Sequence, residues 1–209
     1  MNKHWKKGII GAALLLAGAL WGHSGWILAK AYCAKWMIHD AWETTLNTGH
    51  ATRPWHWADT WPVARLQVPR LGVDQLVLAG AQGASLAFGP GHLDSSAEPN
   101  SNGHVIFSGH RDTHFRFLAK LQRGEVIRVQ DDNTLWRHYV VDSTAVRDIR
   151  DGPMALDHWE DRLTLVTCYP FDALTPGGPL RYVVSARPMS GYFAPGEKQM
   201  RMLSQLNQF

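Results

Sequence analysis

The sequence predicts a mostly β protein: a closed or nearly closed barrel with short helices, preceded by one membrane-spanning helix. Three observations predict it. Residues 9–29 form an unbroken apolar run. From Val63 onward the chain is a series of short segments that are β-branched or alternate apolar with polar. Gly and Pro clusters separate many of these segments, as in GPGH (89–92) and LTPGGP (174–179). Across the 209 residues, 45% are hydrophobic and 19% charged, the composition of a globular chain and not of a disordered one.

The elements follow in order. Residues 1–8 carry Lys3, Lys6 and Lys7 and are expected on the cytoplasmic side. The run IIGAALLLAGALWGHSGWILA (9–29) has only His23 and Ser24 as clearly polar side chains. As a helix it spans about 31 Å, the thickness of a bilayer's hydrocarbon. Small residues suited to signal cleavage are poorly placed around Gly22–Gly25, which favours an uncleaved anchor. Of the 21 Lys and Arg residues, four lie in residues 1–30, where no acid occurs. The net charge of +3 therefore belongs to the leader, and the rest of the chain offers no basic surface for nucleic acid.

Residues 30–62 divide into a helical stretch, with Trp36, Met37, Ala41 and Trp42 on or near one face, and a Trp- and Pro-rich linker from Ala51. The globular domain is expected over 63–189. Its strands are VARLQVP (63–69), VDQLVLA (73–79), HVIFSG (104–109), GEVIRVQ (124–130), LWRHYVVD (135–142), RLTLVTC (162–168) and LRYVVSA (180–186), with SLAF (85–88) a weak eighth. A short helix is expected at 113–121, with Phe117, Leu118 and Leu121 inward. The tail, 190–209, receives no role.

Three residues at strand ends carry chemistry. His110 follows HVIFSG, Cys168 ends RLTLVTC, and Arg181 opens LRYVVSA. A thiol becomes a strong nucleophile once ionised, and an imidazole both removes its proton and later protonates a leaving amine. A permanently charged guanidinium suits the oxygen on which negative charge develops. Together the three suffice for acyl transfer through a thioester. The pleat puts Thr164, Val166 and Cys168 on one face, with Leu163, Leu165 and Thr167 on the other. Each residue also has a plain reading. Cys168 is then a small buried hydrophobe, His110 one of 11 histidines, and Arg181 an exposed strand residue. His104, His110 and His114 with Cys168 match no common metal spacing, and no metal or cofactor is expected.

The combination resembles the sortase family of bacterial cysteine transpeptidases. The family's TLxTC motif stands here as TLVTC (164–168), its GHR-type motif as SGHRDTHF (108–115), and its strand-opening arginine as LRYVVSA. ARLQVPRLGVDQLVLAG (64–80) and GPGHL (89–93) are also similar to the family, so the resemblance covers about residues 63–187 in the family's order. It is nearest the class GN sortases of Gram-negative proteobacteria. The resemblance implies an eight-stranded barrel over the catalytic domain 63–189. It also implies a protein substrate with an LPxTG-like signal near its C-terminus and an amine acceptor. Cys168 is then the nucleophile, His110 the general acid/base and Arg181 the oxyanion or substrate clamp, with Thr167 assisting at the oxyanion. The expected location is the inner (cytoplasmic) membrane, as a single-pass protein with its domain on the periplasmic side. Some relatives bind calcium through acidic loops. Here Asp148, Asp151, Asp157, Glu160 and Asp161 lack an ordered ligand spacing, and a solvated loop is expected. The rival readings are a cysteine peptidase that transfers the acyl group to water, an inactive anchored binding module, and an L,D-transpeptidase. The last needs a cysteine within the histidine motif, which SGHRDTHF lacks.

Overall fold

The computed structural model describes residues 3–83 (side chains from Ile10), 85–99, 101–152, 160–173, 175 and 177–189. The chain divides into two compact units, residues 1–37 and 38–209. Helix α1 (Lys3–Thr48) is continuous through the apolar run and the stretch beyond it, where the sequence suggested two elements. Between Gly25 and Gly49 no Gly or Pro interrupts it. It stops at Gly49, whose φ of +69° is the left-handed ending that glycine adopts without a Cβ penalty, and whose N–H donates to Thr45 O. By length and composition α1 is able to cross a membrane.

Within the second unit, the last turns of α1 bury Ile38, Ala41, Trp42 and Thr45. Ile38 and Trp42 cluster with Leu76 and Leu78, and Leu46 and Trp55 pack against the group. The buried face therefore falls one turn later than Trp36, which stays exposed. The Trp-rich segment after Ala51 is tied down: Thr60 donates its hydroxyl to Ala79 O at 2.7 Å, and Ala79 N–H donates to Trp61 O.

Eight strands form the domain: β1 (Pro62–Val68), β2 (Val73–Ala79), β3 (Gly91–His92), β4 (His104–Ser108), β5 (Val126–Asp131), β6 (Trp136–Asp148), β7 (Arg162–Cys168) and β8 (Leu180–Pro188). They close into a barrel in the order β1-β2-β3-β4-β7-β8-β6-β5. The β2–β3 and β4–β7 pairs are parallel; the others are antiparallel. Alternation sets which side chains enter the core. Ala64, Leu66 and Val68 from β1 meet Val105, Phe107, Leu163, Leu165, Val184 and Ala186 in one cluster.

Two expectations need correction. SLAF is not a strand but a single helical turn, α2 (Ser85–Phe88), because the Ser85 hydroxyl donates to Gly80 O and Gln82 O and folds the chain back. The eighth strand is the two-residue β3, drawn from what read as a turn cluster. The expected helix at 113–121 is a 3-10 turn over Arg116–Lys120. Its three-residue repeat turns Phe115, Leu118 and Leu121 inward and leaves Phe117 only partly buried. The tail from Ser190 and Asp157 lie outside the described residues.

Strand β6 carries one more feature that shapes the outer face. Val141 opposes Ala186 and Ser143 opposes Ser185, so Asp142 is an extra residue and forms a bulge. Tyr139 and Val141, before it, face the core. After it, the odd-numbered residues lie on the outside of the barrel.

Candidate active site

The outer face of β7, β8 and β6 is built in rows. Thr164 opposes Ser185, which opposes Ser143. Val166 opposes Val183, which opposes Ala145. Cys168 opposes Arg181, which opposes Arg147. Directly opposed residues point to the same face of a sheet. The thiol and the Arg181 guanidinium therefore rise side by side at one end of this surface. Leu163, Leu165, Val184 and Ala186 are core residues, so the strands have no other way to face.

His110 arrives by a different route. Strand β4 runs parallel to β7 with Ser108 beside Val166. Past the strand end the two chains stay joined: Gly109 N–H donates to Val166 O at 3.1 Å, and the Thr167 hydroxyl donates to Gly109 O at 2.7 Å. Carrying the same register forward two residues brings His110 level with Cys168. His110 O then accepts from Phe115 N–H at 2.9 Å, which turns the chain back towards the core. Among the described residues, neither the thiol of Cys168 nor the ring of His110 has a hydrogen-bond partner, and both are at least partly exposed.

Thr167 sits on the opposite pleat face from Cys168, only 2% exposed. Its hydroxyl is committed to the Gly109 carbonyl. The hydroxyl ties β7 to the segment that carries His110.

The connection from Cys168 to Arg181 is braced at both ends. Tyr169 N–H donates to Leu180 O at 3.0 Å, and the Tyr169–Pro170 bond is cis. Tyr169 stacks with Tyr182, and Phe171 meets both rings edge-on. Arg111, next to His110 and 8% exposed, donates from Nη2 to Ala173 O (3.0 Å) and Thr175 O (2.6 Å). It links the histidine segment to the loop between Cys168 and Arg181. Arg181 itself donates from Nη1 to Gly178 O and Leu180 O, which leaves the Nε and Nη2 edge without a partner among the described residues.

From the Arg181 end a cleft of about 460 Å³ follows the strands. Its floor comprises Ser143, Ala145, Arg147, Thr164, Arg181, Val183 and Ser185, and its rim includes Asp148, Asp151, Glu160 and Arg162. At the far end His104 Nε2 and Thr164 Oγ1 share a 2.8 Å hydrogen bond. The rim charges are largely paired. Arg150 bonds Asp148 and holds its carboxyl down to about 2. Arg162 bonds Glu160 and Asp142, and its hydrogen bond keeps the Glu160 carboxyl below the ordinary range. Among the described residues no group of His, Cys, Asp and Glu is arranged to hold a metal ion. Both cysteines, Cys33 and Cys168, are free thiols.

Residues 66–189 match the Sortase domain. The chain belongs to the sortase family. Sortases are cysteine transpeptidases that act on protein substrates. Sortase D of Bacillus subtilis (strain 168) is 30% identical over 119 residues, 57% of this chain and 60% of that one. The chain therefore spans less than two thirds of that relative's length. Among solved structures, sortase A from Corynebacterium diphtheriae superimposes with a TM-score of 0.57 at 25% identity, over 66% of this chain and 65% of that one. The Clostridium perfringens sortase D5 transpeptidase gives a TM-score of 0.60, covering 76% of this chain and 99% of that one. At 22% identity it supports the barrel fold alone.

Reading the sequence missed the placement of Arg111 and Arg147. Arg111 lies inside SGHRDTHF, yet nothing in the motif says that its guanidinium reaches residues 173–175. Arg147 lies beyond the strand LWRHYVVD as read, past a bulge that periodicity does not reveal.

Proposed function

We propose that this chain is a membrane-anchored sortase of the class GN type that cleaves an LPxTG-like sorting signal and transfers the acyl group to an amine. Cys168 Sγ attacks the Thr–Gly carbonyl carbon, and the carbonyl oxygen takes up negative charge beside Arg181. The C–N bond then breaks, with His110 giving its proton to the leaving glycine nitrogen. An incoming amine attacks the thioester, loses a proton to His110, and releases the thiolate. Residues 1–8 lie in the cytoplasm, 9–29 cross the inner membrane, and the domain from residue 63 works on the periplasmic side. The class assignment rests on the sequence resemblance.

The observation that carries this reading is the cross-strand pair Cys168–Arg181, with the parallel partner strand of β7 ending two residues before His110. On this reading the nucleophile and oxyanion donor share one half-buried rim, with the proton carrier on the other side of β7. The test is intact-mass spectrometry of the full chain in detergent with LPxTG-like peptides. An adduct of acyl-fragment mass on Cys168 is expected, absent in Cys168→Ala and discharged to an amide when an amine is added. Discharge to the free acid alone, at any amine concentration, supports a peptidase instead.

A further inference from the structure

Arg147 stands out among the arginines around the cleft. Arg150 and Arg162 hold carboxylates, and Arg181 is fixed by two carbonyls. Arg147 is exposed and, among the described residues, has neither an ion pair nor a hydrogen bond. It is nonetheless directly opposite Arg181 across β6 and β8. Two like charges at directly opposed positions repel and weaken a sheet. The cleft floor thus holds two adjacent guanidiniums, each with N–H groups that have no partner among the described residues, at the end where Arg181 opposes Cys168. Asp151, on the same rim, makes no ion pair with either.

We infer that Arg147 and Arg181 together form a carboxylate subsite that selects an Asp or Glu side chain in the bound peptide. The inference rests on the sorting-signal reading and adds a residue preference to it. A planar guanidinium matches a carboxylate in a two-bond geometry, and a second guanidinium beside it shares the charge. The repulsion present in the free protein is relieved when the anion binds. Placement limits where the acid lies. Each cross-strand step separates Cα atoms by about 5 Å, so Arg147 is about 10 Å from Cys168. An extended peptide covers that in about three residues. With the acyl part of the peptide crossing the cleft floor from β7 towards β6, the acidic residue lies within about three positions of the cleaved bond.

The experiment uses the full chain in detergent and fluorescent LPxTG-like peptides carrying Glu, Gln or Lys at one of the three acyl-side positions at a time. Wild type is expected to favour Glu over Gln by about 10-fold in kcat/KM at one position, with the preference shrinking as salt is added. In Arg147→Gln the ratio falls to about 1, and Arg147→Glu prefers the Lys peptide. Loss of the like-charge contact raises the melting temperature of Arg147→Gln, so lost discrimination is not traced to a damaged fold. Equal use of Glu and Gln at all three positions overturns the inference, as does a preference that survives in Arg147→Gln. A preference seen only when the amine acceptor carries a carboxylate, glycine against glycinamide, overturns the assignment to the peptide. Binding of the same peptides to Cys168→Ala separates this inference from the reading beneath it. Glu-selective binding without any turnover sinks acyl transfer and keeps the subsite. Turnover without selectivity does the reverse.

Discussion

Gly109→Ala is a sharp test of how His110 is placed. Gly109 is held on both sides, by its N–H to Val166 O and its carbonyl to the Thr167 hydroxyl. A Cβ at this position meets the Phe115 ring at 2.8 Å, with two more ring carbons at 3.0 Å. Ordinary contact begins near 3.4 Å, so ring and backbone must separate by about 0.6 Å. Phe115 is fully buried, and its own N–H is bonded to His110 O, so the ring cannot swing into solvent. The strain falls on the segment carrying the imidazole. Overpacking of this kind costs about 1–3 kcal/mol of stability. A misplacement approaching 1 Å in a catalytic group costs about 10²-fold in rate, so a loss of 10- to 100-fold in kcat is expected. Urea unfolding gives the first quantity, and single-turnover acylation of Cys168 gives the second. Wild-type stability together with wild-type acylation would refute the claim that this close approach sets the histidine's position.

Arg111→Met removes both hydrogen bonds to residues 173 and 175 and is expected to lower stability by about 1–3 kcal/mol and kcat more than KM; Arg111→Lys, whose ammonium stands one bond short of the Nη2 position, recovers only part in steady-state kinetics. Trp42→Ala leaves a cavity against Leu76 and Leu78 and is expected to cost about 3–5 kcal/mol in denaturant melts of the full chain. Because the Trp42 Nε1 has no partner among the described residues, Trp42→Phe should cost much less. Asp131 is buried, and burial pushes its carboxyl above the ordinary range despite the N–H groups of Leu135 and Asn133. A folded value above the unfolded one penalises the native state only once the group ionises. The penalty is absent below about pH 4 and grows as pH rises through the folded value. Asp131→Asn keeps the Oδ1 acceptor, so it is expected to raise the melting temperature by a few degrees at pH 7, with no gain at pH 3.

Much of the barrel was legible because alternation is a local property. VDQLVLA and RLTLVTC match their strands residue for residue, and the face assignment of Cys168 against Thr167 follows from the two-residue period alone. The convergence of Cys168 with Arg181 depended on β7 and β8 being neighbours, which no local pattern states but which their short connection suggested. What escaped was set by contacts far apart in sequence. The two residues of β3 are too few to carry a period, and they pair only because β2 and β4 flank them. The Thr167 hydroxyl finds its acceptor 58 residues away. Arg111 finds its acceptors 62 and 64 residues away.

The extra residue in β6 works as a phase shift. Upstream of Asp142 the strand serves the barrel's interior; downstream, the same odd-numbered series paves the floor on which a peptide would lie. Removing that single residue would leave Val141 opposite Ala186 and Ser143 opposite Ser185 as consecutive pairs, so Ser143, Ala145 and Arg147 would keep the outer face. What the extra residue adds is a local bend and twist, and β7 and β8, which bear Cys168 and Arg181, keep their pairing either way.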